Sequence, residues 1–125
     1  MMDISLKTET FGADDPTWMA TAEGTDRART ITLDLALWTA GTYYPNGYIK
    51  SGYAVKKVAS GLYAPFVNGD TDFPVAGHLM TPVNVPAGVT KVSGALYWHG
   101  AVIAAKLPQA LNATGQATIT SIRYF

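Results

Sequence analysis

The sequence predicts a mainly β protein: a small β-barrel or sandwich-like domain with one short helix and an extended N-terminal arm. Short segments in which polar and apolar residues alternate recur at intervals of roughly ten residues, as strands do in all-β folds. The chain of 125 residues contains 12 Gly and 7 Pro, which separate these segments as turns. A chain of this length corresponds to one domain with a core of its own.

The clearest strand is residues 30–35, where Thr and Asp alternate with Ile and Leu. The same reasoning predicts further short strands at residues 48–50, 53–58, 74–80, 92–98 and 118–125. Residues 61–67 contain Pro65 and are predicted to lie at a sheet edge or to form an irregular segment. Residues 82–86 contain two prolines and are predicted to form a loop or an edge segment. Residues 102–107 are the only predicted helical turn. Pro108 ends it, because proline cannot continue a helix.

Residues 1–28 are predicted to form an extended arm that precedes a β-rich domain at residues 29–125. Phe11, Trp18 and Met19 are isolated apolar residues in this arm and follow no steady period. Disordered tails rarely carry large aromatic residues, since an exposed ring gains nothing in water. We therefore expect the arm to dock on a partner through these residues. The alternative is that they are incidental apolar residues in a floppy tail.

The charges of the chain are divided between its two ends. Nine acidic and nine basic residues give zero net charge, which argues against a dedicated nucleic-acid binder. Residues 1–34 hold seven acids and three bases, a net charge of −4, and residues 35–125 hold two acids and six bases, a net charge of +4. This asymmetry favours head-to-tail contacts between copies or an acidic arm that reaches a partner. A chance distribution is an equally good explanation.

Further features limit where we expect the protein to act. The chain contains no Cys, so it forms no disulfide and no Cys-ligated metal site. No apolar run approaches the roughly 20 residues that span a bilayer, and we expect no membrane partner. The first ten residues lack a basic start and an apolar stretch, so no signal peptide is expected and a soluble intracellular protein is the default prediction.

The residues that support catalysis are few. His78 and His99 are the two histidines, each beside a glycine, and no acid follows Asp72 in the chain. A His–carboxylate pair would therefore depend on distant folding, and only Asp70 or Asp72 is near enough to act as a third metal ligand. We predict a protein that is not an enzyme, with no metal, no cofactor and no small-molecule substrate. The histidines are expected to bond backbone in a turn or to face a subunit boundary.

Aromatic residues are the other candidate for function. On a β scaffold they could form a stacked platform of the kind that carbohydrate-binding modules use, at a virion or cell surface. Tyr and Trp are also enriched at protein–protein interfaces, and ordinary packing is the third interpretation. The residues concerned are Trp38, Tyr43, Tyr44, Tyr48, Tyr53, Tyr63, Phe66, Tyr97 and Trp98.

Four stretches resemble the lambda-type phage head decoration proteins, the cement proteins that stabilise capsids. They read LDLALWTAG at residues 33–41, YIKSGY at 48–53, VAGHL at 75–79 and GALYWHGAVIAAKLP at 94–108, and the final strand continues the likeness. The resemblance covers about residues 30–125. The middle of this chain, residues 43–66, is longer and more aromatic than the family pattern, which leaves the strand pairing open.

The resemblance implies a specific function. Proteins of this kind form homotrimers at the local three-fold axes of an expanded icosahedral shell and clamp neighbouring major capsid proteins. Their N-terminal arms extend onto the capsid protein and can add a strand to its sheets. The implied partners are the major capsid protein and further copies of the chain, with Phe11, Trp18 and Met19 in the capsid-binding arm. The implied location is the virion surface, reached from the host cytoplasm during assembly.

Overall fold

A computed structural model describes residues 16–21 and 25–125. The mainly β prediction is confirmed, with 32% strand and 17% helix, and the short helices number two where one was predicted. The strands are β1 (Arg29–Asp34), β2 (Tyr48–Ile49), β3 (Ala54–Lys57), β4 (Tyr63–Pro65), β5 (Gly77–Leu79), β6 (Val83–Asn84), β7 (Lys91–Tyr97), β8 (Gly100–Val102) and β9 (Ile122–Tyr124). The α-helices are α1 (Ala40–Tyr43) and α2 (Ala113–Gln116). Single 3₁₀ turns lie at Pro16–Trp18, Thr25–Arg27, Leu35–Leu37 and Ala104–Lys106.

Five strands form a closed barrel in the order β1-β4-β3-β5-β7. β7 closes the barrel by antiparallel pairing with β1, in a register that runs from Arg29 opposite Leu96 to Asp34 opposite Lys91. β4 joins β1 in parallel at one pair, Leu33 with Tyr63. Closure leaves these strands without the unpaired edges that promote aggregation. Two small sheets lie outside the barrel: antiparallel β2-β6 and parallel β8-β9.

The barrel core follows the alternation of the sequence. Ile31 and Leu33 of β1 are buried, whereas Thr30 and Thr32, which precede them in turn, are not. The rings of Trp38, Tyr43 and Tyr53 extend this core, in edge-to-face pairs with centroids 5.1 to 6.3 Å apart. Such pairs add to the stabilisation that burial of the rings already provides.

Gly77 allows β5 and β7 to approach closely. Its φ of +154° lies where side chains are rarely found, and a Cβ at this position would lie 2.5 Å from the carbonyl oxygen of Tyr97. Only glycine meets both conditions without a shift of the backbone.

Residues 82–86 contain a short strand, β6, which pairs with β2 in a two-stranded sheet and so agrees with the edge segment that was one of the two expectations. Two other local expectations differ from the structure. Val102 belongs to β8, because pairing with β9 extends the chain there, and the expected helical turn is a 3₁₀ turn at Ala104–Lys106. The last strand begins only at Ile122, because the Thr118 amide donates to the Gly115 carbonyl at 3.1 Å and forms a turn at the end of helix α2.

Candidate functional site

Residues 16–21 of the predicted arm lie against the domain. Met19 forms an antiparallel bridge with Val102 of β8. The Ile103 amide donates to the Trp18 carbonyl at 2.7 Å, and the Ala20 amide donates to the Ala101 carbonyl at 3.0 Å. β8 therefore lies between the N-terminal segment on one side and β9 on the other. This part of the chain is joined to the barrel domain by backbone hydrogen bonds.

Trp18, the largest predicted contact residue of the arm, is used inside the domain. Its side chain is 1% exposed and meets the Tyr97 ring edge-on, with centroids 5.4 Å apart. Its indole Nε1 donates to Ser51 Oγ at 3.1 Å. A partner could contact this ring only if the segment left the barrel, because a buried side chain offers no surface. Met19 is half-buried beside it, and Phe11 lies outside the described residues.

His78 lies beside Trp18 and is completely buried. Its Nδ1 is 2.8 Å from the Gly52 carbonyl oxygen and its Nε2 is 2.6 Å from the Tyr124 hydroxyl. A carbonyl only accepts, so Nδ1 carries the proton and donates it, and Nε2 accepts from Tyr124. The sequence suggested that a histidine would bond backbone, and His78 does so. We call Trp18, Ser51, His78, Tyr97 and Tyr124 the seam cluster.

Burial sets the protonation states in the seam cluster. Desolvation lowers the pKa of His78 to about 4, although the Gly52 carbonyl favours the charged form. Desolvation raises the pKa of Tyr124, which keeps its hydroxyl protonated as a donor. His78 is therefore neutral near pH 7, with both ring nitrogens engaged. In that state it links the Gly52 carbonyl to the Tyr124 hydroxyl, and neither nitrogen is available to exchange a proton with a substrate.

A groove of about 400 Å³ lies on the outer face of β3 and β4. We call it the β3–β4 groove; Leu37, Lys56, Pro65, Val67, Asp70 and Asp72 are among its lining residues. Lys56 Nζ lies 2.9 Å from Asp70 Oδ2 and 3.1 Å from Asp72 Oδ1. Asp70 also accepts from the Val67 amide at 3.0 Å, which fixes the loop that forms one wall.

The ion pairs of the groove account for its electrostatics. Burial lowers the pKa of Lys56, but hydrogen bonds and attraction from Asp70 and Asp72 outweigh it and leave that pKa above its usual value. The hydrogen bond from Lys56 lowers the pKa of Asp72. Asp70 and Asp72, the two carboxylates considered as metal ligands, thus form ion pairs with the Lys56 ammonium group. Within residues 16–21 and 25–125 no three His, Asp or Glu residues are placed to hold a metal together.

Most rings of the predicted aromatic platform are inside the protein. Trp38, Tyr43, Tyr53, Phe66 and Tyr97 are all buried. Trp98 is half-buried, with its indole Nε1 donating to the Arg27 carbonyl at 2.6 Å and Arg29 stacked over its ring. The half-buried His99 ring lies 5.7 Å from that of Trp98. Packing, the third interpretation of the aromatics, therefore describes most of them.

Sequence reasoning missed Ser51, Gly52 and Tyr124 as partners in the seam cluster. Ser51 and Gly52 were placed only between the predicted strands at residues 48–50 and 53–58, and Tyr124 only in a final strand. The hydrogen bond between His78 and Tyr124 joins residues 46 positions apart, and that between Trp18 and Ser51 spans 33 positions. No local pattern reports contacts at such separations.

Comparison with family models, with curated proteins and with solved structures found no match. In the part of the chain that the structure describes, no helix is long and apolar enough to cross a membrane. The resemblance to phage head decoration proteins accordingly stays a prediction from the sequence.

Proposed function

We propose that this protein is a phage head decoration protein, which binds the outer surface of an expanded icosahedral capsid and stabilises it. In this proposal the N-terminal residues contact the major capsid protein, and the copies bind as a homotrimer. The observation that carries the proposal is the attachment of residues 16–21 to β8 by backbone hydrogen bonds and the buried Trp18 ring. Residues 1–15 directly precede a segment that backbone hydrogen bonds hold against the domain.

The composition of residues 1–15 suits contact with another protein. They contain Phe11 and carry four acids against one base. Fifteen residues reach at most about 50 Å when extended, which is far beyond the edge of a small barrel. An extended segment that adds a strand to a partner's sheet satisfies its own backbone groups, and its side chains give specificity. Trimer valency then multiplies modest contacts at each site.

The polar side chains of the described residues favour binding over catalysis. His78 is neutral, buried and hydrogen-bonded at both nitrogens. Lys56 is engaged by Asp70 and Asp72. A general base needs a pKa near the working pH and access to substrate, and neither group offers both. No structural observation favours the carbohydrate-binding alternative, since most of its rings are buried.

The decisive experiment is deletion of residues 1–15, which leaves Trp18 in place. We expect the shortened protein to fold with an unchanged urea midpoint but to lose its binding to expanded capsid shells prepared without the protein. Deletion of residues 1–28 is a poorer test, because it also removes a ring of the seam cluster. Decoration of the shells at undiminished occupancy by the shortened protein would refute the proposal.

Phe11 provides a finer test within the same segment. We expect Phe11→Ala to weaken binding to the shells on the order of tenfold, as truncation of an aromatic anchor does. Thr10→Ala is the matched control and should leave occupancy unchanged. Equal binding by the two variants would show that Phe11 is not an anchor.

A further inference from the structure

The β3–β4 groove presents apolar surface beside an excess of negative charge. Leu37 and Val67 line it and are 46% and 41% exposed, among the few large apolar side chains so exposed in the described residues. The positive charge of Lys56 compensates only one of the two negative charges of Asp70 and Asp72. The Asp72 side chain is 55% exposed and can therefore be reached by a partner. The groove therefore suits a hydrophobic side chain accompanied by a positive charge.

β9 and the residue that follows it carry that combination. Phe125 is 70% exposed, the largest exposure among the large hydrophobic residues described. Its amide donates to the Val102 carbonyl at 2.8 Å, and its carbonyl accepts from the Ala104 amide at 3.0 Å. Arg123 is also exposed, two positions earlier, where the alternation of a strand places it on the same side as Phe125.

An exposed ring on a fixed backbone is arranged in advance for insertion into a partner. Burying it removes apolar surface from water, and little backbone freedom is lost because the hydrogen bonds already hold it. Aromatic and arginine side chains are enriched at protein interfaces relative to the rest of the surface. Phe125 is thus placed to make a contact with a second molecule.

We propose that Phe125 of one copy inserts into the β3–β4 groove of a second copy, with Arg123 placed against Asp72. Charge complementarity selects this occupant. Residues 1–15 of the chain carry four acids and one base, so the acidic rim disfavours them. The two surfaces have no residue in common, so the contact is heterologous, and repeated copies form a ring when the rotation between them closes and a filament when it does not.

This inference deepens the proposed function and rests on it only for the expectation that copies assemble. The proposed function and the proposed contact between copies can be refuted independently. If the deletion of residues 1–15 leaves capsid decoration intact while copies associate as proposed, only the capsid role of those residues is refuted. If that deletion abolishes decoration while the contact between copies is missing, only the present inference is refuted.

Disulfide trapping tests the contact directly, because the chain has no cysteine of its own. Thr39→Cys places a thiol in the groove and Ala104→Cys places one beside Phe125, with Arg123 and Phe125 retained. We expect the two preparations, once mixed and oxidised, to form cross-links between Thr39→Cys and Ala104→Cys molecules. Val89→Cys, at an exposed residue outside the groove lining, is the control partner. Equal cross-linking of Ala104→Cys to the control, or dominant pairing of Thr39→Cys with itself, would overturn the proposal.

Sedimentation equilibrium of the full-length protein supplies a second measurement. We expect Phe125→Ala to raise the dissociation constant for self-association on the order of tenfold, and Val89→Ala to leave it unchanged. Asp72→Arg and Arg123→Asp should each weaken association, and the double variant should recover it. Urea unfolding of each variant checks the fold, which exposed substitutions should preserve. A wild-type protein that stays monomeric at millimolar concentration, or a double variant no better than the single ones, would refute the contact.

Discussion

The barrel core and the seam cluster are both buried, but the chain builds them in different ways. The barrel core is filled by apolar residues from successive strands, such as Leu33, Val55 and Leu79. The seam cluster joins the N-terminal segment, the barrel and the last strand through side-chain hydrogen bonds, Trp18 to Ser51 and His78 to Tyr124. Apolar packing tolerates exchange among residues of similar volume, whereas a buried hydrogen bond needs its particular partner. For a similar change in side-chain volume, a substitution in the seam cluster should therefore lower the free energy of unfolding more than one in the barrel core.

Within the seam cluster, Trp18→Ala should have the largest effect on stability. It empties the space beneath β8 and leaves the Ser51 hydroxyl without its indole donor, so we expect the free energy of unfolding to fall by about 3–5 kcal/mol. Urea denaturation followed by circular dichroism measures this loss. If the seam cluster is part of the folding unit, the variant unfolds in one transition, earlier than the wild type.

Two further variants provide smaller substitutions with which the loss of stability in Trp18→Ala can be compared. Trp18→Phe keeps an aromatic ring but not the indole N–H, so its loss should be smaller. Leu37→Ala changes a residue that is 46% exposed and should have little effect on the free energy of unfolding. A loss below about 1 kcal/mol for Trp18→Ala would mean that the N-terminal segment does not contribute to the fold.

The barrel could be predicted from the sequence to a useful extent, because its information is local. Residues 30–35 alternate, and β1 forms there at Arg29–Asp34 with its apolar side chains inward. The glycine and proline turns predicted β2, β3, β5 and β7 to within a few residues, whereas Val102 of β8 lies where a helical turn was expected. The closure of β1 on β7 was not predictable, since pairing partners depend on the whole chain.

The seam cluster was not predictable for the same physical reason. Nothing near Trp18 in the sequence indicates that Ser51 accepts from its indole, so its aromatic ring suggested an external partner. Bonding to backbone was one of two expectations for His78, the other being a subunit boundary, and its second partner, Tyr124, comes from the last described strand. Hydrogen bonds between residues far apart in the chain produce no periodic pattern and no local motif in the sequence.

Acid should distinguish the seam cluster from the barrel core. The pKa of His78 is about 4 in the folded protein and near 6.5 when unfolded. Between these values the unfolded chain binds a proton that the folded protein does not, so stability falls as the pH drops through this window. The loss attributable to His78 approaches roughly 3 kcal/mol at pH 4, and all of that stability is present above pH 7.

His78→Gln is the control for this pH dependence. Its amide can donate to the Gly52 carbonyl and accept from Tyr124, yet it does not titrate. The difference in unfolding free energy between wild type and variant should therefore change with pH between 7 and 4. Parallel pH profiles for the two proteins would contradict a neutral, buried His78.

Tyr124→Phe should have a smaller effect. The substitution removes the hydroxyl that donates to His78 Nε2 and leaves that nitrogen buried without a partner, at a cost of about 1–2 kcal/mol. Tyr48→Phe, in the small sheet with β6, is a suitable control because no described residue bonds its hydroxyl. Urea midpoints for the two variants test this, and equal midpoints would indicate that water or another group replaces the Tyr124 hydroxyl.

Asp72→Asn should have the smallest effect of all, because its ion pair lies at the surface. The Asp72 carboxylate is exposed, and Lys56 retains its shorter contact with Asp70 when Asp72 is neutralised. Exposed ion pairs contribute little, since water and salt screen them and ordering long side chains costs entropy. We expect a shift in the urea midpoint smaller than that of Tyr124→Phe, and smaller still in high salt. A larger shift than Tyr124→Phe would mean that the outer face of the barrel, rather than the seam cluster, holds the more consequential polar contacts.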